Sequence, residues 1–296
     1  MSHLALLALR LAARPRWPQL AETLLQHPAL VDTPDAFGVR LRGDDWRLAE
    51  RQRRALNALG LQVLPVWEWP KFLRRVKPLA PVLFVRGAAE ALRESGCAIV
   101  GARQASPGAR RWAALRARQL ASAGVTIVSG GARGIDSAAH WGAVEAGGKT
   151  VAFVGTAVDR VYPRSNRALF AQIMTAGGAI VSEYAPCESL PSWSHAKRNR
   201  FIAAASRAVY VAEAGERSGA LGTARFARRM GVPVMVAPPE VGGERAGLDY
   251  LLRSGQACSA DEHAGAPPGL PASEKRAAPV QQCLALATGG DSPPEP

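Results

Sequence analysis

The segment SGGARGIDSAAH, from Ser129 to His140, joins a short apolar run to a stretch with the spacing of an amphipathic helix. Glycines at a turn from strand to helix let a ligand approach the backbone closely, and N–H groups at a helix start favour anions. Arg103 and Arg133 add planar guanidinium groups that match the geometry of phosphate. We therefore expect this turn to bind an anion, whereas Asp136 is more simply explained as a helix N-cap.

The sequence lacks the motifs of the common nucleotide and metal enzymes. Neither GARQASPG nor SGGARG has the GxGxxG spacing of a dinucleotide fold, and no GxxxxGK[ST] loop occurs. The HExxH, GxSxG and Cys/His zinc patterns are also absent. His140 lies beside Trp141 on one helix face, where a packing role is expected. No nucleophile, base and orienting group stand out together, and we expect no metal or cofactor.

The chain is strongly basic, with a formal net charge of +13. The segment 96–254 holds most of this excess, with 20 lysines and arginines against 10 acidic residues. Surface cations attract a polyanion over a Debye length of about 10 Å, which favours a nucleic-acid partner. An arginine-rich composition also arises in GC-rich genomes, so the charge supports this interpretation without deciding it.

The compartment is predicted from cysteine usage and from the chain start. The four cysteines form no CxxC pair, and no signal-peptide pattern opens the chain, which is typical of a reduced cytoplasm. The apolar start LALLALRLAA is shorter than the roughly 20 residues that span a bilayer. We expect a cytoplasmic protein without a membrane partner.

Six continuous apolar runs have the pattern of strands that are buried on both faces of a sheet. They are residues 97–100, 125–128, 150–154, 179–182, 208–212 and 233–237. Segments with helical spacing separate them, and several of these segments end in glycine. The alternation predicts an α/β fold with a doubly wound, mostly parallel sheet of the extended Rossmann type. Ligands of such sheets bind at the carboxyl ends of the strands, near the point where strand order reverses.

Four segments resemble the DNA-processing protein A family (DprA, also called Smf) in order and spacing. They read SGGARGIDSAAHWGAVEAGGKTVAFVG, VYPRSN, VSEYAP and KRNRFIAAASRAVYVAEAGERSGALGTARFA. The upstream VLFVRGAAEAL and CAIVGARQASPGAR resemble the family's entry into its Rossmann core, so the resemblance covers residues 60–255. It implies a cytoplasmic, non-catalytic homodimer that binds single-stranded DNA and loads the RecA recombinase onto it during natural transformation.

The resemblance also implies which residues contact DNA phosphates. They are Arg103, Ser129, Gly131, Arg133, Asn166, Lys197, Arg198, Asn199, Arg200, Ser218 and Gly219. Such backbone capture predicts salt-sensitive binding with weak sequence preference. Tyr162, Tyr184 and Trp193 lie in the same loops, where packing is the expected role of each.

The KRNR run places positive charge at a helix start, where the helix dipole disfavours it. A bound anion would explain that arrangement. We expect Arg198 and Arg200 to be exposed, so that replacing both weakens DNA binding and leaves thermal stability nearly unchanged.

The chain departs from the family pattern at three places. His195 and Ala196 stand where the family usually has an aromatic residue and a proline. SGALGTA stands in place of an SGSLITA-like turn. Asp249 replaces an asparagine, and its carboxylate would repel phosphate unless Arg245 or Arg253 pairs with it.

Two other functions remain open from the sequence. SGALGT approaches the PGGxGT turn of the phosphoribohydrolases that act on nucleoside monophosphates, which share the Rossmann core. Phe226 stands where those enzymes have a catalytic glutamate. A paralogue that binds nucleotides or DNA in regulation or defence would keep the same phosphate-binding residues.

Three regions differ in composition. Residues 1–60 show helical periodicity and predict a small helical N-terminal domain, and residues 61–255 form the predicted Rossmann-like core. Residues 256–296 are rich in Pro, Gly and Ala and predict a flexible tail, too short for the winged-helix domain found in many family members.

Overall fold

A nine-stranded mixed sheet forms the centre of the protein. The computed structural model describes residues 3–13, 16–188, 190 and 193–260. The strands are β1 (Gln62–Pro65), β2 (Val82–Gly87), β3 (Gly96–Val100), β4 (Ile127–Ser129), β5 (Thr150–Phe153), β6 (Ala179–Ser182), β7 (Ser206–Val211), β8 (Val234–Val236) and β9 (Cys258–Ser259). Their order across the sheet is β1-β2-β6-β5-β4-β3-β7-β8-β9.

The six predicted strands are confirmed as β3 to β8, and they are all parallel. The strand order reverses between β3 and β7, which fixes the switch point of the doubly wound sheet. Strands β1 and β2 were not predicted. They add an antiparallel edge beside β6 and make the sheet mixed.

Ten α-helices, some of them a single turn long, surround the sheet within the described ranges. They are α1 (His3–Ala12), α2 (Trp17–Gln26), α3 (Gly43–Ala58), α4 (Pro107–Ser122), α5 (Ile135–Glu145), α6 (Arg167–Thr175), α7 (Ser194–Lys197), α8 (Asn199–Ala204), α9 (Gly219–Arg229) and α10 (Ala246–Arg253). The predicted helical character of the N-terminal region is confirmed by α1 to α3. Across the described residues, no helix combines the length and the apolarity needed to cross a membrane.

Apolar side chains cover both faces of the sheet. On β3, Cys97 and Ile99 pack into one cluster with α4 and α5, while Ala98 and Val100 pack into a larger cluster with α8, α9 and the N-terminal helices. Burial on both faces explains why the strands appear in the sequence as continuous apolar runs. Helices α4 and α5 approach so closely that a Cβ placed on Gly142 would lie 2.2 Å from the carbonyl oxygen of Ala114.

The end of the described chain corrects the predicted start of the tail. Strand β9 pairs in parallel with β8, so residues 258–259 belong to the sheet and not to a flexible segment. The remainder of the predicted tail, residues 261–296, lies outside the described residues.

The N-terminal helices attach to the sheet through a buried arginine. Arg10 donates from Nη2 to the carbonyl oxygen of Glu183 at 2.8 Å and to the carboxylate of Glu188 at 2.9 Å. Trp17 of α2 donates from Nε1 to the carbonyl oxygen of Arg10 at 2.7 Å. These contacts join α1 and α2 to the loop that follows β6.

Candidate anion-binding site

Two glycine-rich loops meet at the carboxyl ends of β3 and β4. Gly134 has a φ of +74°, and a Cβ at this position would lie 2.2 Å from the carbonyl oxygen of Ala102. Only glycine allows this approach, because it tolerates positive φ and has no side chain to clash. The contact joins the loop that carries Arg103 to the turn that carries Arg133, and both side chains are exposed.

The guanidinium of Arg198 lies directly against Gly130. A Cβ placed on Gly130 would lie only 1.4 Å from Nη1 of Arg198, so this glycine provides the space for the arginine. Arg198 is 6% exposed, and its Nη2 is 3.8 Å from the carboxylate of Asp136. Its Nε and Nη1 atoms are buried and have no hydrogen-bond acceptor among the described residues. We call Arg103, Gly130, Gly131, Arg133 and Arg198 the anion-binding site.

The charge at this site is poorly compensated. Burial lowers the pKa of Arg198, Asp136 opposes this effect, and the positive charge of Arg103 lowers it further. Burial also lowers the pKa of His195, with added contributions from Arg198 and Arg103. A buried cation with one distant carboxylate is costly. An anion at this position would supply the missing acceptors.

Asp136 does not have its predicted role as the N-cap of α5. The N-cap position is Gly134, and Asp136 is the second residue of α5, with its Oδ2 accepting the N–H of Ala132 at 3.3 Å. Burial raises the pKa of Asp136, and the charge of Arg198 opposes that rise. The carboxylate therefore holds the glycine turn and partly balances Arg198.

Asn166 and Ser129, which were predicted to contact phosphate, form hydrogen bonds within the protein that hold the glycine turn. The Nδ2 atom of Asn166 donates to the carbonyl oxygen of Gly131 at 3.0 Å and to Oγ of Ser137 at 2.9 Å. Ser129 is fully buried and donates its hydroxyl to the carbonyl oxygen of Ile99 at 2.6 Å. Both side chains fix the position of the turn.

A second pair of predicted ligands is organised around the start of α9. Asn199 donates from Nδ2 to the carbonyl oxygen of Gly219 at 3.1 Å. The hydroxyl of Ser218 is the N-cap of α9 and accepts the N–H of Ala220 at 3.3 Å. A Cβ placed on Gly219 would meet no atom within 4 Å, so this glycine is not required by a close approach within the described chain.

Arg200 corrects the expectation that the KRNR arginines are exposed. It is 1% exposed and donates to both carboxylate oxygens of Glu183, at 3.1 and 2.7 Å. Lys197 lies 3.1 Å from the same carboxylate. Burial raises the pKa of Glu183, but Arg200 and Lys197 outweigh it and hold the pKa below its usual value. The Glu183 carboxylate thus neutralises part of the positive charge at the start of α8.

The structure also shows the surroundings of Asp249 and of the three aromatic residues in the loops near the site. Asp249 is 3.5 Å from Nη2 of Arg245, so the pairing needed to offset this carboxylate is present. Tyr184 is 4% exposed and packs as expected, whereas Tyr162 and Trp193 are 54% and 56% exposed. The ring of Tyr162 lies 5.4 Å from that of His195. Packing therefore does not account for the exposed faces of these two aromatic residues.

Residues of the protein itself occupy the space at the switch point between β3 and β7. The carboxylate of Glu213 accepts the N–H of Ser106 at 2.8 Å. A Cβ placed on Gly243 would lie 2.4 Å from the same carboxylate, so the loop after β8 closes tightly over this position. Phe226, which replaces the glutamate of the phosphoribohydrolases, packs against the main apolar cluster. The anion-binding site therefore lies to one side of the switch point, against the turn after β4.

His140 is buried, as its position beside Trp141 predicted. Its Nδ1 lies 2.7 Å from Oγ1 of Thr150, whose hydroxyl donates to the carbonyl oxygen of Ile127. The imidazole must therefore donate from Nδ1, and its Nε2 has no partner among the described residues. Burial, with a smaller contribution from Arg198, lowers the pKa of His140 to about 3.

This shift predicts acid-sensitive stability. The unfolded chain takes up a proton near the ordinary pKa of about 6.5, whereas the folded protein keeps His140 neutral to about pH 3, so stability is lost as pH falls through this interval. His140→Asn keeps a donor near the Nδ1 position and does not titrate. Between about pH 7.5 and pH 4.5, we expect denaturant unfolding to show about 3 kcal/mol less loss of stability in the variant. Parallel losses in the two proteins would contradict the buried, neutral imidazole.

Two contributors to the site were not singled out from the sequence. Gly130 stands inside the recognised SGGARG turn, but only the structure shows that it makes room for an arginine some 70 positions later. Glu183 follows a predicted strand in SEYAP, which is the signal that places it at the ligand edge of the sheet. Local sequence patterns do not show that Lys197 and Arg200 are the partners of Glu183.

The fold and the site together define a Rossmann-type protein with three arginines gathered at a glycine turn. Residues 64–264 match the family model for DNA recombination-mediator protein A, and the chain belongs to this family. Protein Smf of Escherichia coli strain K12 is 39% identical over 175 residues, which cover 58% of this chain and 46% of that protein. DNA processing protein DprA of Streptococcus pneumoniae strain R6 is 38% identical over 178 residues, which cover 60% of this chain and 62% of the relative.

Two solved structures share the fold. The X-ray structure of DprA from Streptococcus pneumoniae superposes with a TM-score of 0.70 at 26% identity, covering 88% of this chain and 96% of that one. DNA processing protein A from Helicobacter pylori, solved to explain its single-stranded DNA binding mode, gives a TM-score of 0.60 at 31% identity and covers 67% of this chain and 89% of that one. These comparisons confirm the predicted family and fold class. The chain spans about half the length of the Escherichia coli relative.

Proposed function

We propose that the anion-binding site holds backbone phosphates of single-stranded DNA and that this chain acts as a recombination mediator rather than as an enzyme. The observation that carries the proposal is the guanidinium of Arg198, which is buried against Gly130 with two N–H-bearing nitrogens that lack acceptors among the described residues. Phosphate oxygens are the acceptors that an arginine in this geometry favours. The family description and the binding mode of the Helicobacter pylori relative support DNA as their source.

The predicted site residues take different parts in this proposal. Arg103 and Arg133 are exposed and contact phosphate oxygens at the surface, and Arg198 offers the N–H groups that lack acceptors in the described chain to the same phosphate from the buried side of the turn. The remaining predicted residues shape the loops or hold the charge network, as their hydrogen bonds and ion pairs indicate. They are Ser129, Gly131, Asn166, Lys197, Asn199, Arg200, Ser218 and Gly219.

The proposal extends to partners by way of the family. A recombination mediator delivers single strands to a recombinase, so we propose RecA as the protein partner and the cytoplasm as the place of action. We also propose a homodimer, as the resemblance implied. Loading assays with RecA and a measurement of solution mass test these two points separately from DNA binding.

Fluorescence anisotropy tests the DNA proposal directly. We expect the protein to bind labelled oligo-dT more tightly than the matching duplex, with affinity that falls steeply with salt and with little displacement by AMP. Binding or cleavage of AMP without strand binding would overturn the proposal and favour a nucleotide enzyme.

Replacing the two exposed arginines one at a time tests which residues contact the DNA. We expect Arg103→Ala and Arg133→Ala each to weaken oligo-dT binding and to reduce the slope of log affinity against log salt by about 1, because each removes one phosphate contact. The matched control is Arg228→Ala, an exposed arginine in the last turn of α9, at the opposite end of that helix from Ser218. An equal effect of all three changes would indicate attraction by net charge without a site.

A further inference from the structure

Trp193 presents an open aromatic face beside the anion-binding site. Its side chain precedes the helical turn α7 and is 56% exposed. The ammonium group of Lys197 lies 5.4 Å from its ring centroid. An indole that only filled a loop would bury more of its surface, so the exposed face is available to a ligand.

Lys197 lies between two indole rings. Its Nζ is 5.6 Å from the ring of Trp17 in α2 and 5.4 Å from the ring of Trp193, within the range of cation–π attraction. The carboxylate of Glu183 holds the same ammonium at 3.1 Å. Trp17 is buried and is fixed by its hydrogen bond to Arg10. The stack of Trp17, Lys197 and Trp193 thus has a fixed inner end and an open outer end.

This stack adjoins the phosphate site. The N–H of Arg198 donates to the carbonyl oxygen of Ser194 at 3.1 Å, so Trp193 and Arg198 lie at the two ends of one helical turn. A turn of helix rises about 5.4 Å, a distance comparable to the size of one nucleotide. A strand held at the glycine turn therefore has bases within reach of the open indole.

We propose that the outer face of Trp193 is a stacking platform for an unpaired base of the bound strand, and that Trp17 is the positioning residue that holds this platform from the N-terminal helices. The proposal rests on the proposed function, because the base must belong to the strand whose phosphates occupy the anion-binding site. Stacking on aromatic side chains is largely independent of sequence, since every base has a π face. Bases in a duplex are already stacked, so this platform favours single strands.

An abasic oligomer separates base stacking from phosphate binding. We expect the full chain to bind a dT oligomer about tenfold more tightly than an abasic oligomer of equal length and charge, as one stacked base would give. Trp193→Ala is expected to bring this ratio close to one and leave the salt dependence unchanged. Trp193→Phe keeps an aromatic face and is expected to retain most of the preference.

Trp46→Ala is the matched control, because it removes an exposed tryptophan of α3 and is expected to leave the ratio unchanged. Trp17→Leu is expected to lower the ratio and Trp17→Phe to restore it, a pattern that a purely stabilising role would not produce. Because Trp193 is exposed, its variants test the platform even where a change at buried Trp17 prevents folding.

Each outcome has a distinct meaning. Equal binding of the dT and abasic oligomers by the unaltered protein, or an unchanged ratio in Trp193→Ala, would overturn the platform and leave phosphate binding intact. A ratio unaffected by Trp17→Leu would overturn its positioning role. Failure to bind either oligomer would overturn the proposed function, and the platform with it.

Discussion

Replacing Glu183 by alanine is expected to lower the free energy of unfolding by about 3 to 5 kcal/mol. The Glu183 carboxylate is buried and accepts from Arg200 in a two-point contact while it also holds Lys197. Removing one partner of a buried ion pair leaves an uncompensated charge in a medium of low polarity, which is the costly case. Arg200 then keeps its carbonyl acceptors at Pro78 and Lys197 but loses its counter-charge.

Denaturant unfolding measures this effect, with Glu145→Ala as the control. Glu145 pairs with Arg118 on the surface, where an ion pair contributes about 0 to 1 kcal/mol. The double variant Glu183→Leu with Arg200→Met is expected to be less destabilised than Glu183→Ala. It removes both members of the buried pair, so Arg200 does not remain as an uncompensated buried charge. A loss at Glu183 as small as that at Glu145 would show that the buried network contributes little.

Arg198→Met is expected to weaken single-strand binding by at least about tenfold and to change the free energy of unfolding by no more than about 1 kcal/mol. The loss of binding follows from removing a charge that acts over a few ångströms in a partly desolvated site. Stability is nearly preserved because methionine occupies similar space, the cost of burying a weakly paired guanidinium disappears, and the Asp136 carboxylate, 3.8 Å from the guanidinium it loses, keeps the N–H of Ala132 as a donor. Arg198 is thus predicted to serve binding at the expense of stability.

Asp136→Asn complements Arg198→Met, because it removes the negative charge beside Arg198 and keeps the shape of the side chain. Asparagine retains an acceptor for the N–H of Ala132 and removes the carboxylate that faces Arg198 at 3.8 Å. Oligo-dT affinity is therefore expected not to fall. Anisotropy and thermal melting of both variants provide the check. A large drop in melting temperature for Arg198→Met with unchanged affinity would make Arg198 a structural residue.

The parallel part of the fold was predictable because its strands are buried on both faces. Runs such as 97–100 and 150–154 have no polar alternation, and glycine-terminated helical segments separate them. The antiparallel pair β1 and β2 was missed because it precedes this alternation. The short β9 was missed because only two of its residues pair with β8, within a segment whose composition suggested a tail.

The positions of the glycine turn, Arg103 and Arg133 could be predicted because local sequence decides them. The glycine turn and Arg133 follow one strand, Arg103 follows another, and parallel strands end at the same edge. Burial of Arg198 and Arg200 was not predictable, because it depends on Gly130 and Glu183 in other loops. The positive charge at the start of α8 is unusual for a helix, as the sequence indicated, but the carboxylate that balances it belongs to another loop and could not be predicted. The exposure of Trp193 depends equally on tertiary packing.

The contact of Arg10 with the loop after β6 also bears on the order in which the chain folds. Arg10 and the backbone oxygen it binds are 173 positions apart, and its partner Glu188 is 178 positions away. Contacts of such separation form late, because the entropy of closing a long loop must be overcome before they contribute. Synthesis delivers α1 well before β6, yet its buried arginine finds these acceptors only after β6 has been made. We therefore expect α1 to be among the last helices to reach its final packing.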